Sequence, residues 1–341
     1  KELMLHTDIK RDDTIFYFTT CGWMMWNWLV SSLALGSRVL LYDGNAFHPS
    51  EDYLLQIAIK EKITIFGTSA KYLSEIQKRN ILPKNIGKFK NLRTILSTGS
   101  PLEEESYDYV YKFWKSDVQL SSICGGTDII SCFFLGNPML PIYKGKLQSI
   151  GLGMSVKSYS IQGEELPYGK KGELVCDKAF PSMPIYFWND EQNKKYLNAY
   201  FNVYPGIWRH GDFISIDKKF NVKVYGRSDS TLNPGGVRIG TSEIYSVLDN
   251  IQEIEDSLVI GRRINSDDEI IFFLKMKTPY VADESFKDLV ISTIRENCSP
   301  RHCTNKIISV HDIPYTINGK KVEIAVKKII NGELDYNIDA V

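Results

Sequence analysis

The chain has little of several things that would have settled its class at once. Its 341 residues include only five histidines, and its six cysteines (Cys21, Cys124, Cys132, Cys176, Cys298, Cys303) form no C-x-x-C pair. Zinc sites need clustered ligands, so a structural zinc domain is excluded. The cysteines are expected as buried free thiols in a reducing compartment. There is no charge surplus of either sign, because Lys+Arg and Asp+Glu stand at 41 each. A general nucleic-acid binder would need a basic excess to neutralise phosphates. No apolar run reaches the roughly 18–20 residues of a membrane helix. The richest stretch, Trp23 to Leu35, is interrupted by Asn27, Ser31 and Ser32 and is expected as a buried helix. Repeats and low-complexity tracts are also absent. The first residues, Lys1-Glu2-Leu3-Met4-Leu5-His6, look neither like a signal peptide nor like a native start, so the chain is expected to begin mid-domain.

What is present is a globular composition: 43% hydrophobic residues, with 19 Tyr and 16 Phe to fill interiors or line pockets. β-Branched and aromatic runs alternate with helical patterns. Strands are expected at Thr14–Phe18, Arg38–Tyr42, Ile63–Gly67, Thr94–Ser97 and Val118–Ile123. Helices are expected at Met24–Leu35, Pro49–Glu61, Ala70–Arg79 and Glu103–Trp114, the second with acidic residues in its first turn that suit a helix amino end. That alternation reads as a parallel sheet with crossovers, whose ligands gather at the carboxyl ends of the strands. Two loops fall there, Ser97-Thr98-Gly99-Ser100-Pro101 and Cys124-Gly125-Gly126-Thr127-Asp128.

From about residue 150 the texture changes to short strands: Val156–Ile161, Gly172–Asp177, and Phe213–Ile216 paired with Val222–Tyr225. Residues 228–240 are polar and rich in Gly and Pro, a plausible linker. Helices at 242–250, 285–297 and 322–330 then alternate with strands at 256–260, 269–276 and 306–310. The domains are accordingly expected at 1–150 (α/β), 151–228 (β-rich) and 229–341 (α+β).

Several loops carry residue types suited to chemistry. Gly125-Gly126-Thr127-Asp128 is either an ordinary turn or a place where backbone approaches phosphate, with a hydroxyl and a carboxylate beside it. Asp212, following Gly211 at an expected strand start, either caps a turn or holds two vicinal hydroxyls. Arg227 and Arg238 flank the linker and present forks for phosphate, or surface ion pairs. Asp229 between them is a solvated loop residue or a hinge. Lys320 stands on a Gly-bearing loop, Pro314-Tyr315-Thr316-Ile317-Asn318-Gly319-Lys320, before a helix.

In this order the motifs resemble those of the adenylate-forming acyl-CoA synthetases, from Thr14 almost to the end of the chain. Phe18-Thr19-Thr20-Cys21-Gly22-Trp23-Met24-Met25-Trp26-Asn27-Trp28 and Cys124–Asp128 resemble the acetoacetate-activating members more than those that activate acetate. The resemblance implies a large adenylate-forming domain followed by a mobile α+β lid. It implies ATP, Mg2+ and coenzyme A as cofactors, small-molecule partners without nucleic acid, and a cytosolic location. Gly99, Ser100 and Pro101 would line the adenine site, with Gly125, Gly126 and Thr127 at the α-phosphate. Asp128 would meet the metal, Asp212 the ribose, and Arg227 and Arg238 the phosphates. Asp229 would be the hinge and Lys320 the adenylation lysine. Gly235 and Arg295 would lie near coenzyme A, and Trp23, Met24 and Met25 would border the acyl pocket, unless they are plain helix core. The family's Ser/Thr/Gly-rich phosphate loop is not found as a string. The chain is therefore expected to be the C-terminal half of such an enzyme, without that loop and with little activity alone. Another short-chain acid, or a non-catalytic nucleotide-binding relative, stays open. The sequence leaves oligomeric state undecided.

Overall fold

The structure is a computed structural model that describes residues 1–228, 232, 234, 239–264, 267–304, 306–316 and 321–333. It divides into two compact units, residues 1–210 with 214–224, and residues 211–213 with 225–341.

The first unit is built on β1 (Thr14–Tyr17), β2 (Arg38–Leu40), β3 (Ile65–Ser69), β4 (Thr94–Thr98) and β5 (Gln119–Ser122). They form one sheet in the order β2-β1-β3-β4-β5, and every neighbouring pair is parallel. Parallel neighbours need long crossovers. These are supplied by α1 (Met24–Ser31), α2 (Tyr53–Lys60), α3 (Ala70–Lys78), α4 (Pro83–Ile86) and α5 (Glu104–Tyr109). The two-residue side-chain period of a strand divides the apolar residues between two faces. Phe16, Phe66, Ile95 and Leu120 meet Leu54, Leu55, Leu73 and Ile76 on one face. Ile15, Tyr17, Ile65 and Leu96 meet Trp23, Met24, Met25, Trp28 and Leu29 on the other. The expected α/β class is borne out. The long helix expected over Met24–Leu35 stays α-helical only to Ser31. It closes with a 3-10 turn over Ser32–Leu35, where Gly36 at φ 77° ends it.

At the amino ends of β1 and β4 a carboxylate organises the turn. Arg93 Nε donates to Asp13 Oδ1 at 3.2 Å, its Nη2 donates to Asp13 Oδ2 and to the Asp8 carbonyl, and Nη1 donates to the Thr7 carbonyl. The Lys10 N–H also donates to Asp13, at 2.7 Å. Burial alone would raise the Asp13 pKa, but Arg93 and these hydrogen bonds outweigh it and hold the carboxyl below its usual value. A depressed folded-state pKa adds stability above the ordinary carboxylate range, and that stability is lost as pH falls through the folded value. Arg93→Ala is expected to cost about 3 kcal/mol at neutral pH and to move the acid unfolding midpoint upward. Urea titrations between about pH 3 and 7 measure both, and an unmoved acid midpoint would refute the account.

Further along come β6 (Cys124–Gly126), β7 (Ser131–Leu135) and β8 (Ser149–Ile150), a small antiparallel sheet. Then follow β9 (Val156–Tyr159), β10 (Gly172–Cys176), α6 (Lys194–Tyr200), β11 (Trp208–Ile216) and β12 (Val222–Arg227), with sheet order β12-β11-β10-β9. The six cysteines are free thiols: Cys132 and Cys176 are buried, Cys124, Cys298 and Cys303 half-buried, and Cys21 is exposed, contrary to expectation.

The second unit carries α7 (Thr241–Leu248), β13 (Ile254–Ile264), β14 (Asp267–Met276), α8 (Glu284–Asn297), β15 (Ile307–Ser309) and α9 (Glu323–Ile330). β13 and β14 pair antiparallel, and β15 joins β14 in parallel. Ile244, Leu248, Phe286, Val290 and Ile294 cover one face of this sheet, against Val259, Ile270, Phe272 and Leu274. Val326 and Ile330 of α9 lie on the other, against Leu258, Ile260 and Ile271. Among the described residues no helix is long and apolar enough to cross a membrane.

Candidate functional site

The carboxyl ends of β1, β3 and β4 meet at one place. Gly99, just past β4, has φ 95°, which favours glycine. A Cβ there would lie 3.8 Å from the Trp23 ring and 3.9 Å from Ser69 Cβ. Trp23 is the extended residue at the N-cap of α1, and Ser69 caps α3 by accepting from the Tyr72 N–H at 3.1 Å. Thr98 Oγ1 donates to the Ile123 carbonyl at 2.9 Å and ties the end of β4 to the segment after β5. Ser100 is exposed and Pro101 half-buried beside Gly99. Trp23 thus borders this edge, and it is buried with Met24 and Met25 in the same apolar layer.

The glycines at 125 and 126 are required by contact. They lie in β6, where a loop is expected from sequence. A Cβ on Gly125 would stand 2.0 Å from the Ser131 carbonyl oxygen, and one on Gly126 would stand 2.7 Å from His210 Cε1. His210 is buried against the Phe133 ring, centroids 4.8 Å apart. Trp208 Nε1–H donates to His210 Nδ1 at 3.5 Å, and His210 Nε2 lies 3.2 Å from the Gly125 carbonyl oxygen. The hairpin tip exposes Thr127 and Asp128. It closes through Ile130 N–H donating to the Thr127 carbonyl at 3.1 Å, with Ile130 at φ 44°, a strained conformation for a β-branched residue. Tyr200 stacks on Trp208 at 3.6 Å between centroids, and its hydroxyl donates to Asp128.

Sequence alone does not single out His210, Tyr200 or Ser69. His210 stands two residues before Asp212, but its partner Gly125 is 85 residues away in the chain, and no local pattern signals that pairing.

In the second unit Asp212 and Arg227 come together. Asp212 lies inside β11 rather than at a strand start, because Arg209 and His210 are satisfied by tertiary partners and the strand therefore begins at Trp208. Asp212 is only 7% exposed. Its Oδ1 lies 3.8 Å from Arg227 Nη1. Gly211 at φ 87° permits this approach, since a Cβ there would meet Arg227 Nη2 at 2.8 Å. Arg295 is exposed on α8. Lys320, Asp229, Gly235 and Arg238 lie outside the described residues. Among the described residues no group of three or more His, Cys, Asp or Glu is placed to hold a metal ion, so Asp128 is not part of a protein-only cage.

A parallel sheet of this kind gathers its ligands at the carboxyl ends of its strands, where Trp23 and Gly99 stand, and the separate antiparallel hairpin of β6 and β7 carries Gly125, Gly126, Thr127 and Asp128. The chain belongs to the AMP-binding enzyme family, whose model matches residues 2–187. It is similar to the acetoacetyl-coenzyme A synthetase of Rhizobium meliloti (strain 1021), 45% identical over 100% of this chain and 52% of that protein. It is also similar to the acetoacetyl-CoA synthetase of Gallus gallus, 48% identical over 98% of this chain and 50% of that protein. A solved acetoacetyl-CoA synthetase from Streptomyces lividans superposes with a TM-score of 0.91 at 38% identity, covering 97% of this chain and 51% of that one. The chain spans about half the length of the curated relatives it matches.

These matches correct one expectation, that of a C-terminal half without the phosphate loop. The AMP-binding enzyme model runs from residue 2 to residue 187, so the family's AMP-binding region lies in this chain from its first residues. A short loop is one local string, whereas the family model matches a span of many strands and helices, residues 2–187.

Proposed function

We propose that the protein is a cytosolic ATP-dependent acid–CoA ligase that activates acetoacetate. The acetoacetate carboxylate attacks the α-phosphorus of ATP, the bond to pyrophosphate breaks, and acetoacetyl adenylate forms. The thiol of coenzyme A then attacks the acyl carbon, loses its proton and displaces AMP. The observation that carries this reading is the alignment of two acetoacetyl-CoA synthetases, at 45% and 48% identity, along essentially the whole chain.

The residues fit the parts. Gly99, Ser100 and Pro101 receive the adenine at the edge of β4, beside Trp23, which borders the acyl group with Met24 and Met25 behind it. Gly125 and Gly126 leave room for backbone to approach the α-phosphate, and Thr127 offers it a hydroxyl. Asp212 accepts from the ribose hydroxyls while Arg227 and Arg238 face phosphate. Asp128 would hold Mg2+ together with phosphate oxygens, as a single carboxylate commonly does, and the ion would offset phosphate charge. Lys320 draws the two anions together. Asp229 would be the hinge between two poses of residues 229–341, one serving adenylation through Lys320 and the other serving coenzyme A, with Gly235 and Arg295 assigned to the latter.

Acid-dependent exchange of labelled pyrophosphate into ATP, run on the complete protein with acetoacetate, acetate, butyrate and 3-hydroxybutyrate, tests the proposal. Acetoacetate is expected to lead in kcat/KM by at least about 10-fold, because a site that hydrogen-bonds a keto oxygen penalises acids lacking it. Equal use of acetate would overturn the substrate assignment. Exchange with none of the acids would overturn the ligase reading.

A further inference from the structure

The chain ends its Gly-bearing loop with two lysines, Lys320-Lys321, and the structure commits the second of them to the fold. Lys321 Nζ lies 3.1 Å from Asp256 Oδ1, donates to the Ser257 carbonyl at 2.5 Å, and sits 4.1 Å above the Tyr245 ring. Its side chain is 20% exposed and that of Asp256 12%. The other oxygen of Asp256 accepts from the Tyr315 hydroxyl at 2.6 Å. Tyr315 and Lys321 also pair as an isolated antiparallel bridge, and the Val322 N–H donates to the Pro314 carbonyl at 3.3 Å. One carboxylate on β13 therefore grips both chain segments where they enter and leave residues 316–320. Tyr245 is itself fixed, its hydroxyl accepting from the Val259 N–H at 2.9 Å.

We infer that Asp256 is a positioning residue for adenylation: by clasping Tyr315 and Lys321 it fixes the base from which Lys320 is presented. This rests on the assignment of Lys320 made above. The physical case is preorganisation. An ammonium on an unclasped loop must be ordered anew in each turnover, and a misplacement of about 1 Å costs of the order of 10²-fold in rate. Asp256 is held by Tyr315 and Lys321 of its own unit, and no chemical step is assigned to it in this scheme. Its effect would reach only the half-reaction that uses Lys320.

The test separates the two half-reactions in the complete protein. Acetoacetate-dependent pyrophosphate exchange reads adenylation, and AMP release from preformed acetoacetyl adenylate with coenzyme A reads thioester formation. Asp256→Asn is expected to lower exchange about 10- to 30-fold, the range for loss of a supporting hydrogen-bond partner, and to leave AMP release within about 3-fold. Tyr315→Phe, which removes one of the two tethers and keeps the ring, should show the same selectivity at smaller size. Equal losses in both half-reactions would make Asp256 merely structural and overturn the inference. Lys320→Ala is the reference. If it abolishes exchange while Asp256→Asn and Tyr315→Phe leave exchange unchanged, the clasp fails and the function stands. If Lys320→Ala leaves exchange intact, the role of Lys320 fails and the positioning role fails with it.

Discussion

Lys320→Ala is expected to lower acetoacetate-dependent pyrophosphate exchange about 10³-fold and to spare thioester formation from preformed adenylate. Bringing a carboxylate to within about 4 Å of an anionic phosphoryl group opposes two charges by about 4 kcal/mol at an intermediate dielectric. One ammonium at the meeting point offsets a term of that size, and about 1.4 kcal/mol corresponds to each tenfold in rate. The second half-reaction has no such encounter, since the attacking group is a thiol and the leaving group is AMP. The measurement is the ratio of the two rates in one preparation. A variant that loses both equally would show that Lys320 supports the fold or a shared step, and the two-pose scheme about Asp229 would go with it.

Gly125→Ala is expected to be the most damaging of the small substitutions in the first unit. The added Cβ would stand 2.0 Å from the Ser131 carbonyl oxygen and 2.6 Å from Cys132 Cα, both backbone atoms of the facing strand. Neither is the end of a flexible side chain, so β6 and β7 must part by about 1 Å before the contact is tolerable, a cost in the range of about 1–3 kcal/mol for overpacking. That shift breaks the bond from His210 Nε2 to the Gly125 carbonyl and moves Thr127 and Asp128 at the hairpin tip. Adenylation should fall about 10²-fold, the usual penalty for an ångström of misplacement. Gly169→Ala is the control, because a Cβ there meets nothing within 4 Å, although φ 81° still strains it. Wild-type exchange in Gly125→Ala, with an unchanged melting temperature, would show that this hairpin is neither tight nor part of the site.

β1 and β4 are legible in the sequence because they lie inside the sheet, are buried on both faces and carry β-branched and aromatic residues. The expected Thr14–Phe18 and Thr94–Ser97 correspond to Thr14–Tyr17 and Thr94–Thr98. β6 is not legible. Cys124-Gly125-Gly126 has the composition of a turn, and only its pairing with Ser131–Phe134 makes it a strand. The expected start of β11 falls at Phe213 because Arg209, His210 and Asp212 are polar. They are tolerated in a strand because Arg209 pairs with Glu173 at 3.3 Å, His210 with the Gly125 carbonyl, and Asp212 with Arg227. A buried polar residue is read correctly only when its partner is known, and here each of the first two partners comes from another segment of the chain. The expected lack of the phosphate loop fails for a related reason. The AMP-binding enzyme model matches residues 2–187, a span far longer than any one local string.

By itself the sequence determined the alternation of strand and helix, the glycine-bearing loops at strand ends, and the family they resemble. Local backbone preference and side-chain period act over a few residues and leave their mark in the order of residues. Which loops converge was decided only by tertiary structure. Parallel pairing of β1, β3 and β4 carries Trp23, Ser69 and Gly99 to one edge, and hairpin closure presses Gly125 onto Ser131. The clasp of Asp256 on Tyr315 and Lys321 likewise joins segments about sixty residues apart through contacts between side chains that no periodicity encodes.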